Sequence, residues 1–83
     1  MKERIYLNFE NGMLTTGSFD DLKQLGLKPQ VGMHLDFYDV GKDEHGAVTY
    51  QSAEGVLTFD QETGSWYATL DPGSIRPVAS PDS

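Results

Sequence analysis

The chain contains no cysteine. That excludes disulfide staples and any thiolate-held metal, and it is compatible with a reducing compartment. Basic residues are also scarce: Lys and Arg together number six, and they are scattered. Nucleic-acid binding draws much of its affinity from phosphates neutralised by such side chains. Sequence-independent nucleic-acid binding is therefore not expected, and neither is docking on an anionic membrane. No apolar run approaches the roughly 20 residues that span a bilayer. The opening "MKERIYLNFENG" is charged and then alternating, without the apolar stretch of a signal peptide. These absences lead to the expectation of a cytoplasmic protein with no membrane partner.

What is present is acidic. The net charge is −7 over 83 residues, and it is unevenly spread. Residues 1–35 balance Lys2, Arg4, Lys23 and Lys28 against Glu3, Glu10, Asp20 and Asp21. Residues 36–62 set Asp36, Asp39, Asp43, Glu44, Glu54, Asp60 and Glu62 against Lys42 alone, a net of −6. Arg76 against Asp71 and Asp82 leaves −1 for the remainder. A basic protein or peptide surface is the partner this layout favours, against the plainer reading of a merely solvated acidic face. The length allows one domain, expected over residues 1–78, with 79–83, "ASPDS", as a disordered tail.

Alternation of apolar and polar residues marks the strands. In "RIYLNFENGMLTTG", Ile5, Leu7 and Phe9 share one face, and Asn11-Gly12 is the preferred pair for a two-residue hairpin. That register sets Phe9 against Leu14 and Leu7 against Thr16. In "GSFDDLKQLGLKP" the period changes to helical. Ser18 is the expected N-cap, with Asp21 three residues on, and Phe19, Leu22 and Leu25 form the apolar face. Gly26 is placed to end the helix, with Leu27 packing back on Leu22.

"VGMHLDFYDV" is a further strand, "GKDEHG" a polar loop, and "AVTYQSAE" extended structure running to a bulge or bend at Gly55. "GVLTFDQETGSWYATLD" reads as a hairpin around a four-residue loop, Gln61 to Gly64. The hydrophobic pattern selects the register that pairs Phe59 with Trp66, Leu57 with Ala68 and Gly55 with Leu70. Pro72-Gly73 then turns the chain into a short edge strand, Ile75 to Val78.

About five antiparallel strands and one short helix after the first hairpin make an all-β chain, expected as a small barrel or two orthogonal sheets. From residue 31 to 78, the order of strand, polar loop, strand, tryptophan-bearing hairpin, short turn and "SIRPV" resembles the small SH3-like β-barrels. The chain lacks the ALYDY-type opening and the proline-tyrosine ending of peptide-binding SH3 domains, and it adds an N-terminal hairpin and helix. It is more similar to small uncharacterised bacterial SH3-like proteins than to a signalling module. Such a fold does not define a function.

Four aromatic residues, Tyr38, Tyr50, Trp66 and Tyr67, are candidates for binding, because rings with a polar edge are enriched where proteins meet partners. In peptide-binding SH3 domains such rings act with nearby carboxylates, and the resemblance implies Asp36, Asp39, Asp43 and Glu44 for that part. The alternative is that the rings pack the barrel, and for Trp66, opposite Phe59, a place in the core or at its edge is the expectation. His34, Asp36, Asp39, Asp43, Glu44 and His45 raise a metal site, with His34 and Asp36 on one strand face, but their spacing fits no strong template. In "DVGKDEHG" Glu44 stands where a calcium loop needs glycine, and Tyr50 where it needs Glu. No metal or cofactor is expected. Nothing resembles a nucleophile elbow, a phosphate loop or a HExxH helix, so the expectation is a non-enzymatic binding module for a basic peptide or protein surface, monomeric or weakly dimeric. The alternatives are a self-associating structural protein and a weak single-stranded nucleic-acid binder that stacks bases on its rings.

Overall fold

A computed structural model describes residues 4–81. The expectations for residues 1–3 and 82–83 lie outside the described residues. The elements in chain order are β1 (Ile5–Tyr6), α1 (Thr16–Gln24), β2 (His34–Lys42), β3 (Val48–Asp60), β4 (Ser65–Leu70), a single 3-10 turn (Pro72–Ser74) and β5 (Arg76–Val78). They form a mainly β fold around one sheet, ordered β1-β2-β3-β4, with β5 also paired to β3.

The long strand β3 organises the sheet. It pairs antiparallel with β2 along one edge, Asp36 opposite Glu54 and Tyr38 opposite Ser52. Along the other edge its two halves take different partners. Residues 55–60 pair with β4, setting Gly55 against Leu70, Leu57 against Ala68 and Phe59 against Trp66, as the hydrophobic pattern predicts. Tyr50, Gln51 and Ser52 pair with β5. The β3–β4 loop closes with Gly64 at φ +70 donating its N–H to the Asp60 carbonyl.

The expected N-terminal hairpin does not form. Ile5 and Tyr6 instead pair parallel with Phe37 and Tyr38 of β2. Met13 bridges to Tyr67, while Leu14 N–H donates to the Trp66 carbonyl and Ala68 N–H to that of Gly12. The two arms therefore reach opposite edges of the sheet. A two-residue turn at Asn11-Gly12 needs positive φ at both positions, and among the described residues only glycines have it. The chain makes a wider turn, with Gly12 N–H on the Asn8 carbonyl and the Asn8 and Asn11 side chains accepting from Glu10 and Met13 N–H. The reward is burial: Ile5, Leu7 and Leu14 enter one core with Leu22, Phe37, Leu57 and Ala68. Because β1 runs parallel to β2, the sheet is mixed. It is also not closed, which corrects the expected antiparallel barrel.

The helix starts earlier than the Ser18 cap suggested. Thr15 is the N-cap and Ser18 occupies the third helical position, where its hydroxyl accepts the Thr15 N–H. Ser18 and Leu22 are the buried helical residues, whereas Phe19 is turned outward at 40% exposure. The ending is as expected: Gly26 sits at φ +71, Gly26 N–H bonds the Lys23 carbonyl, and Leu27 N–H bonds that of Leu22, the double bond of a Schellman ending.

No bulge falls at Gly55. The β2–β3 and β3–β4 registers run unbroken through Gly55. A Cβ there would meet the Phe37 ring, the Leu70 side chain and the Thr69 carbonyl, each at 3.0 Å, so the glycine serves close approach. The bulge is at Gly32, φ +86, in a turn closed by Met33 N–H on the Gln30 carbonyl. Gly32 N–H and the Met33 carbonyl both bond Leu57, so two residues oppose one.

Candidate functional site

Residues directly opposite each other across a ladder share a face of the sheet. On one face Leu35, Phe37, Ala53, Leu57, Ala68 and Trp66 join or pack against the core. The other face carries His34, Asp36 and Tyr38 from β2, Tyr50, Ser52 and Glu54 from β3, Thr69 from β4 and Arg76 from β5.

A groove of about 310 Å³ crosses this outer face, lined chiefly by Arg4, Asp36, Ser52, Glu54, Asp71 and Arg76. Two further hollows share its Glu54 wall and extend it past His34 towards Thr69. Local structure explains the placement. Asp36 and Glu54 are opposite one another in the β2–β3 ladder. Asp71 follows β4 and donates its N–H to the Glu54 carbonyl. Its carboxylate accepts the Gly73 N–H and so shapes the 3-10 turn. Ser74 then donates its hydroxyl to the Asp71 carbonyl and accepts the Glu54 N–H. These bonds fasten the turn to β3 and leave Arg76 opposite Ser52.

Ser52 is 4% exposed, and its small side chain lies between Tyr38 on β2 and Arg76 on β5, which keeps the groove floor low. Arg4 is 8% exposed. Its Nη1 donates to the Pro81 carbonyl at 3.0 Å, and its buried Nε has no hydrogen-bond partner.

The residues singled out from the sequence are not brought into one place. Asp36, Tyr38 and Tyr50 do share the outer face. The Tyr38 ring makes an edge-to-face contact with Tyr6 at 5.7 Å. Tyr67 is on that face too, but opposite Thr58, eight residues along β3 from Tyr50, or roughly 26 Å of strand. Trp66 points to the core side, its ring 5.1 Å from that of Phe59.

Asp39 is occupied with backbone groups, accepting the Phe9 and Val40 N–H. Asp43 accepts the His45 and Ala47 N–H and so holds the β2–β3 loop. Glu44 is at the exposed end of that loop, 3.8 Å from His45. His45 is therefore remote from His34 and Asp36, which sit at the other end of β2. Among the described residues no three His, Asp or Glu side chains are grouped to hold a metal ion.

Sequence reasoning missed Arg4, Ser52, Glu54, Asp71 and Arg76. A signal existed for Glu54: a five-residue loop at 43–47 sets Asp36 opposite it. None existed for Arg4, whose position follows from a parallel pairing that the Asn-Gly signal argued against.

No helix among the described residues is long and apolar enough to cross a membrane. Comparison with protein-family models, with curated proteins and with solved structures finds no match to this chain.

Proposed function

We propose that the chain is a non-enzymatic binding module that takes a basic segment of a partner protein. One observation carries the reading: carboxylates from three parts of the chain, Asp36, Glu54 and Asp71, line a single groove. Such an arrangement suits an ammonium or guanidinium group, and the acidic excess of residues 36–62 would speed encounter with a basic partner. Tyr38 and Tyr50, on the same face, supply flat contact area beside the charges.

The order of β2 to β5, with a 3-10 turn before the short last strand, supports the SH3-like reading of the fold, which we keep within this proposal. Cytoplasmic localisation belongs to it as well, and the lack of cysteine is compatible with it. Self-association through the β2 edge is less favoured, because Asp39 takes the Val40 N–H at that edge and blunts it for strand pairing.

Calorimetric titration with short arginine- and lysine-containing peptides tests the reading. Binding that weakens with added salt and weakens several-fold in Glu54→Gln is expected. No binding at low salt would remove it.

A further inference from the structure

We infer that Arg4 and residues 79–81 form a latch across the open side of the sheet, and that this latch opens locally while the core stays folded. β1 pairs with β2 and β5 with β3. The two ends of the described chain therefore lie on strands that are not neighbours in the sheet. Arg4 Nη1 donates to the Pro81 carbonyl at 3.0 Å, across 77 positions of sequence. This bond ties the two ends together outside the strand ladders.

The closed latch seals Arg4. Its side chain is 8% exposed, and Ser80 and Pro81 are half-buried although they follow the last strand. A guanidinium carries five donors. Among the described residues, the buried Arg4 Nε has no hydrogen-bond partner. An orphaned buried donor forfeits its hydration, and the loss is greater on a charged group. Opening returns water to Nε, which draws the open and closed arrangements towards each other in free energy.

The core does not depend on the latch. Ile5, next to Arg4, is 1% exposed and pairs with Phe37. Residues 79–81 lie past the end of β5 and belong to no strand. Local opening therefore breaks no rung of the sheet. Arg4 also lines the outer-face groove, so opening turns a sealed cation into part of the groove wall. The latch is independent of what the groove binds.

Arg4 and Arg76 are the chain's two arginines, and Arg76 is exposed. Phenylglyoxal, which condenses with guanidinium groups, is applied to the full chain across a urea series, and mass spectrometry reads each site. Arg76 should react throughout. Arg4 should react far more slowly, by a route whose urea dependence is much shallower than that of global unfolding. Pro81→Gly gives the open segment more backbone freedom and should speed the Arg4 reaction about two- to fivefold, with the Arg76 rate and the urea midpoint retained. The latch is overturned if Arg4 reacts as fast as Arg76, or only with the urea dependence of global unfolding. It is also overturned if Pro81→Gly leaves the Arg4 rate unchanged, or speeds it only by lowering the urea midpoint.

Discussion

Ser18 donates its hydroxyl to the carbonyl of Tyr6, twelve residues earlier in the chain. Asp21, one turn further along α1, accepts the Tyr6 N–H at 3.0 Å. Tyr6 lies in β1, whose other side pairs with β2. The helix thus supplies through two side chains what a neighbouring strand would supply through its backbone, and the β1 edge is closed. This accounts for a serine with no exposed surface in the first turn of the helix. Ser18→Ala would leave the Tyr6 carbonyl and the Thr15 N–H unpaired. We expect a loss of about 1–3 kcal/mol, read as a lower urea midpoint with an unchanged slope. A loss below about half a kcal/mol would mean that water replaces the hydroxyl.

Two glycines separate steric from backbone requirements. A methyl at Gly55 meets three atoms at 3.0 Å, one of them the Thr69 backbone carbonyl. A methyl at Gly26 meets nothing within 4 Å, but the residue sits at φ +71. Gly55→Ala should cost about 1–3 kcal/mol through overpacking, and Gly26→Ala about 1 kcal/mol through the left-handed backbone alone. Thermal unfolding checks the order. Equal costs would show that β3 and β4 can part to admit the methyl.

The acidic residues divide by what their carboxylates hold. Asp39→Ala removes the acceptor of the Phe9 N–H and should cost about 1 kcal/mol, with faster hydrogen exchange at Phe9 and Leu7. Glu44→Gln, at an exposed loop end, should change stability by less than about half a kcal/mol. Neither should alter peptide affinity by more than about twofold. A large affinity loss in Asp39→Ala without loss of stability would return Asp39 to the binding site.

The hairpin around Trp66 was legible because its alternation, its loop glycine and its register all agree. The helix ending was legible for a similar local reason: Gly26 and Leu27 satisfy a motif that extends over one turn. The N-terminal hairpin was misread because two levels conflict. Asn11-Gly12 favours a tight turn locally, but Ile5, Leu7 and Leu14 gain more by packing on separate edges of the sheet. The groove was only half legible. Asp36 and Tyr38 follow from the β2 alternation, whereas Arg4, Asp71 and Arg76 arrive through long-range pairings that no local pattern encodes.

Trp66 and Glu54 should separate stability from binding. Trp66 packs on the core side against Phe59, whereas Glu54 is exposed in the groove. Trp66→Ala should lower stability by about 2–3 kcal/mol, less than a fully buried aromatic because the ring is half-exposed. Peptide affinity should be retained wherever the variant is folded. Glu54→Gln should do the reverse, weakening peptide binding with a stability change below about half a kcal/mol. Denaturation and calorimetry on the same two proteins check this. Loss of affinity in folded Trp66→Ala would place the ligand on the tryptophan side of the sheet.

The most direct test of a basic-segment site is an amide and indole chemical-shift titration of the isotopically labelled chain with an arginine-containing peptide at low salt. Shifts are expected to concentrate at Asp36, Ser52, Glu54, Asp71 and Arg76, with the Trp66 indole unmoved. Shifts centred on the Trp66 indole, or none in the groove at saturating peptide, would contradict such a site.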